Sequence, residues 1–438
     1  MKRDIDKQLL EWSRNNRRKP LIIRGARQVG KTYSLKHFGK TYFEEIIYLD
    51  FEKYPDYAAI FEGDLDINRI CSEIEMLTGQ RIIPHRTILL FDEVQNASRA
   101  LMSLRYFYED KPDLHVIAAG SLLEFVFSEI SVPVGRVQFL YMYPMSFHEF
   151  LLARGLDELS EIIQGEPRKL SSVIHNKLIT ELRSFFFVGG MPECVKAFTE
   201  SHSMVESWHV QSEIIKSYRL DFSKYVPRIN IDCLTEVYKS LSQGIGRQTK
   251  YTRLSSNFTI PTIKKAVYML EKARLVKNVF SVNPPRLPFE YSAKQTVFKP
   301  VFLDVGLLQY VSGVDPGEEI LKENLLSIYN GAVAEQYVGQ ELLITQEDDL
   351  YYWSRQAKSS SAEVDFIARR NNEVLAIEVK SGVSGTLRSL HYLLNSDEHI
   401  DEGIVFSSRE FDTLPDQKIR FVPIYYAGSP ALFGRIIT

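Results

Sequence analysis

Gly25-Ala26-Arg27-Gln28-Val29-Gly30-Lys31-Thr32 follows the apolar run Leu21-Ile22-Ile23 and opens a predicted helix from Tyr33 to Phe38. A strand, a glycine loop and a helix in that order make a phosphate-binding site. Glycine lets the backbone turn its N–H groups onto phosphate oxygens, and the helix N-terminus adds positive potential. All eight loop residues are assigned to nucleotide binding, with Lys31 reaching the β and γ phosphates and Thr32 ligating Mg²⁺. ATP or GTP is the ligand this pattern implies.

The continuous apolar run Thr87-Ile88-Leu89-Leu90-Phe91 ends in Asp92-Glu93, as a strand buried on both faces reads, and is expected on a strand neighbouring the phosphate loop. Asp92 is placed to hold Mg²⁺, and Glu93 to polarise the attacking water as a general base. A third strand, His115 to Ala119, ends in Gly120-Ser121, which makes Ser121 a candidate for sensing the γ phosphate.

These stretches resemble the AAA+ ATPases, specifically the bacterial and archaeal branch in which an AAA domain is fused to a C-terminal domain of unknown function. The likeness also rests on Tyr143-Pro144-Met145-Ser146-Phe147-His148-Glu149-Phe150, Gly189-Gly190-Met191-Pro192-Glu193 and Phe302-Leu303-Asp304-Val305-Gly306-Leu307-Leu308. What the resemblance implies is an ATP-binding protein. Arg136, in Val134-Gly135-Arg136, is a candidate to meet the γ phosphate in cis or in trans, the other reading of a lone arginine being structural.

The 438 residues exceed what one core usually supports, and about two to four domains are expected. Hydrophobic content of 45% and charged content of 25% are those of a soluble globular protein, and a net charge of −3 gives no global attraction to nucleic acid or anionic membrane. Cys71, Cys194 and Cys233 have no metal-ligand spacing, which fits a reducing, cytoplasmic compartment. The charged N-terminus does not read as a signal peptide, and no apolar run reaches the length of a membrane span.

Alternating strands and helices over 1–150 predict a parallel α/β sheet, an α/β class P-loop domain. Residues 151–228 read as a helical lid or connector, with Phe185-Phe186-Phe187 and Trp208 in its core. Residues 229–288 read as a winged helix-turn-helix. Ile263, Ala266, Val267, Leu270 and Ala273 recur at helical spacing, leaving Lys264 and Lys265 outward, and Leu275 to Val282 forms the wing. Between Gly244 and Phe280 there are eight Lys or Arg against one acid, Glu271, in an otherwise acidic chain. Arg253, Lys264 and Lys265 are therefore candidates to contact the phosphates of double-stranded DNA. The other reading is a module docking an unknown protein partner or a nucleotide-dependent oligomer. Residues 289–324 form a connector, with breaks at the prolines of 283–288 and near Gly313 to Gly317.

The C-terminal region, 325–438, opens on a predicted helix from Gly331 to Leu343 carrying Glu335. With Asn371-Asn372 as a tight turn, the following hairpin sets Asp365 opposite Glu378 and Glu363 opposite Lys380 on one face, cross-strand Cβ atoms roughly 5 Å apart. Two opposed carboxylates destabilise a sheet unless a cation or a proton lies between them, and Mg²⁺ or Mn²⁺ would resolve the conflict. Glu335, Asp365, Glu378 and Lys380 resemble the PD-(D/E)xK nucleases, with Val364 where that pattern has proline. The resemblance implies a restriction-endonuclease-like α/β fold and metal-dependent cleavage, with Lys380 stabilising developing phosphoryl charge. The alternative is an inactive nuclease-like fold in which the acids are solvated or paired to Lys380 and Arg355. For the whole chain, the first reading is a DNA-associated ATPase. The second is a slow nucleotide-controlled switch or scaffold that binds a protein partner and cuts nothing.

Overall fold

The computed structural model describes residues 1–121, 123–127, 135–225, 229–314, 330–346, 350–357, 360–380 and 386–434. The part of the expected break at residues 315–317, most of the expected connector's end and residues 325–329 lie outside the described residues. The chain divides into two compact units, Met1–Tyr143 and Pro144–Thr438.

The first unit is built on five parallel strands, β1 (Leu21–Arg24), β2 (Glu45–Asp50), β3 (Thr87–Asp92), β4 (His115–Gly120) and β5 (Gln138–Tyr141), in the order β2-β3-β4-β1-β5. Every residue of β3 and β4 is buried, because helices cover both faces of a parallel sheet and no face is left for polar side chains. Ile22, Ile47, Leu89, Phe91, Phe107 and Val116 lie in the core that results. One expectation is corrected here. The strand carrying Asp92 and Glu93 does not pair with β1, since β4 lies between them, pairing with both.

The second unit opens with helices Phe147–Ala153, Asp157–Gln164, Ser172–Val188, Pro192–Ser201 and Met204–Tyr225. The first is closed by a capping box, in which the Ser146 hydroxyl accepts from the Glu149 amide and the Glu149 carboxylate accepts from the Ser146 amide. Phe185, Phe186 and Phe187 are buried as expected, while Trp208 is only half-buried, its ring 5.2 Å from that of Tyr310.

Helices Ile231–Gln243 and Ile260–Lys272 follow, and then an eight-stranded mixed sheet. Its strands are β6 (Val276–Val282), β7 (Ala293–Phe302), β8 (Tyr351–Ala357), β9 (Ser360–Arg370), β10 (Glu373–Val379), β11 (Glu402–Ser407), β12 (Asp412–Leu414) and β13 (Ile419–Pro423), in the order β12-β13-β11-β10-β9-β8-β6-β7. The expected wing is thus a strand, but not of a separate winged helix. β6 pairs with β7 on one side and runs parallel to β8 on the other, so the hairpin after helix Ile260–Lys272 extends the C-terminal sheet. Its apolar residues settle this: Val276, Val279 and Val282 are fully or almost fully buried, as strands covered on both sides require.

Helix Asn330–Gln346 packs against β7, β9 and β10. Its buried polar side chains do the work of backbone. The Gln336 side-chain amide both accepts from the Phe302 amide and donates to its carbonyl, each at 2.8 Å, where β7 runs out of strand partners. Gln340 Oε1 accepts from the Val305 amide in the same way.

Candidate functional site

The phosphate loop follows β1 and leads into helix Lys31–Tyr42. Gly30, at the helix N-cap, has φ 99°, a left-handed conformation that favours glycine and lets the loop turn into the helix. Lys31 is buried and its ammonium donates to the carbonyls of Ala26 (2.7 Å) and Gly25 (3.1 Å), so it closes its own loop. Burial lowers its pKa to about 8, against the opposing pull of Glu93 and Asp92.

Thr32 Oγ1 donates to Asp92 Oδ2 at 2.6 Å, bringing the loop and the end of β3 together as the sequence suggests. Asp92 also accepts from the Tyr48 hydroxyl at 2.8 Å. Tyr48 and Asp50 lie on β2, Asp50 in register with Asp92, and the sequence reading missed both because nothing in the β2 pattern says which strand it will flank. The Thr32 hydroxyl and the Asp92 carboxylate are the hard oxygen donors that Mg²⁺ takes. When bound there, Mg²⁺ would neutralise phosphate charge.

Glu93 is the first residue past β3 and has φ 50°, a left-handed backbone rare outside glycine and concentrated at functional sites. Its carboxylate accepts from Gln95 Nε2, and burial raises its pKa. Gln95 Oε1 is buried without a partner. Ser121 is buried at the end of β4, the strand between β1 and β3, and its Oγ lies 3.4 Å from Arg27 Nε. The topology therefore brings the loop, Asp92, Glu93 and Ser121 to one end of the sheet.

Arg136 is not there. It precedes β5, whose first residue Gln138 is in register with Leu21 at the start of β1, the opposite end of the strands from the phosphate loop. It is half-exposed and pairs with Glu109 at 3.1 Å. The strand length alone, about 3.3 Å per residue, keeps it from a γ phosphate of its own chain, and the expectation of a role in cis is corrected on that ground.

In the second unit, Arg247, Lys250, Arg253, Lys264 and Lys265 are exposed, whereas Lys272, Arg274 and Lys277 are half-buried. Lys264 lies 5.4 Å from the centre of the Tyr251 ring. The outward lysines of helix Ile260–Lys272 are where its spacing places them, opposite buried Ile263, Ala266, Val267 and Leu270.

The acidic residues of the C-terminal hairpin also meet. Asn371-Asn372 forms the turn, Arg370 faces Glu373, and the ladder runs to Phe366 opposite Ile377, one step short of Asp365 and Glu378. What occupies the space between the acids is a side chain the sequence reading passed over. Lys299, on β7 and almost fully buried, directs its ammonium to Glu363 Oε1 (2.8 Å), Asp365 Oδ1 (3.2 Å) and Glu335 Oε1. Its strand neighbours are apolar, and nothing local in Phe298-Lys299-Pro300 marks it as an ion-pair partner.

The ladder ends before the expected Glu363 and Lys380 positions, and their side chains find other partners. Lys380, just past β10, donates from Nζ to Glu378 Oε1 at 2.5 Å, while Glu363 accepts from Gln248 Nε2 at 2.7 Å. Arg355 bonds Tyr392 Oη and lies over its ring, away from the acids. Asp365 Oδ2 accepts from the Val379 amide at 2.9 Å. Burial, reinforced by the Asp365 charge, raises the pKa of both Glu335 and Glu378.

Metal binding by Glu335, Asp365, Glu378 and Lys380 is therefore not what the donor set fits. Glu335 and Asp365 are already committed to an ammonium of the chain. Among the described residues, no group of three or more His, Cys, Asp or Glu side chains is arranged to hold a metal ion.

Comparison with known proteins agrees with the first unit. Residues 17–151 match the family model described as an AAA domain, and residues 179–318 and 330–427 match two domains of unknown function (DUF8612 and DUF4143). With the phosphate loop and the five-stranded parallel sheet, that match supports an AAA-type P-loop domain in the N-terminal part, followed by regions that match domains of unknown function. An uncharacterized protein of Haemophilus influenzae is 23% identical over 418 residues, covering 89% of this chain and 90% of that protein. A Walker-type ATPase of Pyrococcus abyssi is a distant structural likeness, with a TM-score of 0.45 and 15% identity over 71% of this chain and 95% of its own. The Aeropyrum pernix Orc1 protein in complex with DNA is more distant, at a TM-score of 0.28 and 12% identity over 72% of this chain and 92% of its own. Among the described residues no helix is long and apolar enough to cross a membrane.

Proposed function

We propose that this chain is an AAA-type ATPase that hydrolyses ATP with Mg²⁺ and associates with double-stranded DNA through the basic face around Arg253, Lys264 and Lys265. The observation that carries the reading is the convergence of Lys31, Thr32, Asp92, Glu93 and Ser121 at one end of a parallel sheet. Lys31 and the loop amides grip the phosphates, Thr32 and Asp92 hold Mg²⁺, Glu93 takes a proton from the attacking water, and Ser121 reads the γ phosphate. Arg136 enters only if a second copy presents it in trans. Strand cleavage is not part of the proposal, because the carboxylates it would need are held by Lys299.

A second reading has an observation of its own. Gln95 holds the Glu93 carboxylate in a buried site, which favours a nucleotide-controlled switch with slow turnover acting on a protein partner. One experiment separates the readings: phosphate release from ATP and Mg²⁺, with and without labelled duplex DNA whose integrity is followed in the same tube. Turnover that duplex DNA accelerates, lost in Lys31→Ala, with intact strands, supports the first. Turnover indifferent to DNA supports the switch. Cleaved strands that Asp365→Asn spares would refute the exclusion of nuclease chemistry.

A further inference from the structure

Three acids around the nuclease-like constellation, Glu335, Glu363 and Asp365, share one cation, and it comes from elsewhere in the sequence. Lys299 lies on β7, in the segment matched by one domain of unknown function, whereas Glu335, Glu363 and Asp365 lie in the segment matched by the other. The ammonium is buried and touches three carboxylates, with the Tyr352 ring centre 5.5 Å away. A lysine committed in this way fills the position between carboxylates that a divalent ion would take, and the nearby carboxylates raise its pKa well above the ordinary lysine value, against burial.

The cluster holds a second thing in place. Gln248 reaches Glu363 from the segment between helices Ile231–Gln243 and Ile260–Lys272. Beside it, the amide of Thr249 donates to the Phe298 carbonyl (2.7 Å) and the amide of Phe298 donates to the Thr249 carbonyl (3.1 Å), one residue before Lys299. A Cβ on Gly246 would lie 3.1 Å from Glu335 Oε2, so the segment runs directly over the acids.

We propose that Lys299 is the resident cation of this acidic cluster, and that the cluster is a metal-independent clamp fixing residues 246–249 to the sheet. The nuclease-like constellation is then a structural fastening whose ion is a side chain. Removing the ammonium should leave Glu335, Glu363 and Asp365 with uncompensated charge, which a divalent cation can relieve once the three side chains, not so arranged now, close on it.

The test uses the full chain without nucleotide, with Mn²⁺ as the probe, read by electron paramagnetic resonance of the free ion. Wild type is expected to take up no Mn²⁺ that Asp365→Asn would remove. Lys299→Met is expected to take up about one Mn²⁺ per chain, and Lys299→Met combined with Asp365→Asn to lose it. Wild-type uptake that Asp365→Asn abolishes would overturn the proposal, as would a folded Lys299→Met protein that takes up none.

If Lys299→Met does not fold, Glu363→Gln reads the clamp directly. Its Gln248 bond is weakened while Glu335 and Asp365 still hold the lysine, and the Thr249 amide should exchange with deuterium at least tenfold faster than in wild type. Unchanged exchange at Thr249 would overturn the clamp, whatever the cation.

Discussion

At the scale of single residues, Lys31 and Glu93 carry the consequences that can be measured. Lys31 has a pKa of about 8 because burial disfavours its charged form, and only its protonated form complements phosphate oxygens. Below pH 8 it is protonated before the nucleotide arrives, and affinity should not depend on pH through this group. Above pH 8 the site must take up a proton to bind, so ATP affinity should fall by nearly tenfold per pH unit until the pKa of the bound state is reached. Calorimetry in buffers of different ionisation enthalpy should detect that proton uptake at pH 9 and not at pH 7. Lys31→Ala should bind weakly at every pH with no proton linkage. Glu93→Gln is expected to keep nucleotide binding while turnover falls by about 10² to 10⁴, the usual contribution of a general base. Single-turnover phosphate release is the measurement, and wild-type rates in this variant would remove Glu93 from the mechanism.

Two elements of the second unit support predictions of their own. Helix Val305–Val311 is capped by Asp304, whose Oδ1 accepts from the Leu307 amide (2.9 Å) and whose Oδ2 accepts from the Gly190 amide (2.6 Å). Gly189, with φ 70°, comes so close to this carboxylate that a Cβ there would lie 2.1 Å from Asp304 Oδ1. The Gly189-Gly190 and Asp304 stretches, far apart in the chain, are thus two halves of one junction. Asp304→Ala removes a cap and strands a buried amide, and should cost about 3 kcal/mol of stability in urea unfolding. Helix Ile260–Lys272 presents Lys264 and Lys265 to solvent. If they meet DNA phosphates, the double change to alanine should lower the slope of log affinity against log salt by nearly two, at about 0.9 for each contact. Titrations of duplex binding between 50 mM and 200 mM salt, roughly the range over which such contacts act, decide this. An unchanged slope would move the face to a protein partner.

For the molecule as a whole, pH reaches stability through His115. It is buried at the start of β4, its Nε2 3.1 Å from the Ser13 carbonyl, and burial lowers its pKa to about 4 from the ordinary 6.5. The unfolded chain therefore takes up this proton first as pH falls. Stability of the Met1–Tyr143 unit should decline from about pH 6.5 towards pH 4, and His115→Gln should flatten the decline in that window. Denaturant midpoints measured at half-unit steps of pH test it, a decline of equal steepness in the variant assigning the effect to other groups.

The sequence by itself determined the phosphate loop, the strand ending in Asp92-Glu93, the outward lysines of helix Ile260–Lys272 and the register of the Asn371-Asn372 hairpin. Each is written locally, in a glycine spacing, an apolar run, a helical period or a two-residue turn. Tertiary structure alone decided that β4 separates β1 from β3, that Arg136 lies at the far end of the sheet from the phosphate loop, and that β6 and β7 join the C-terminal strands. Strand order and the end of a sheet at which a loop emerges depend on how crossovers pack, which no short stretch encodes. Lys299 shows the limit most clearly. A lone lysine between Phe298 and Pro300 has no sequence signature, and it becomes the cation of the acidic cluster only because helix Asn330–Gln346, which carries Glu335, packs on both β7 and β9, and β9 carries Glu363 and Asp365.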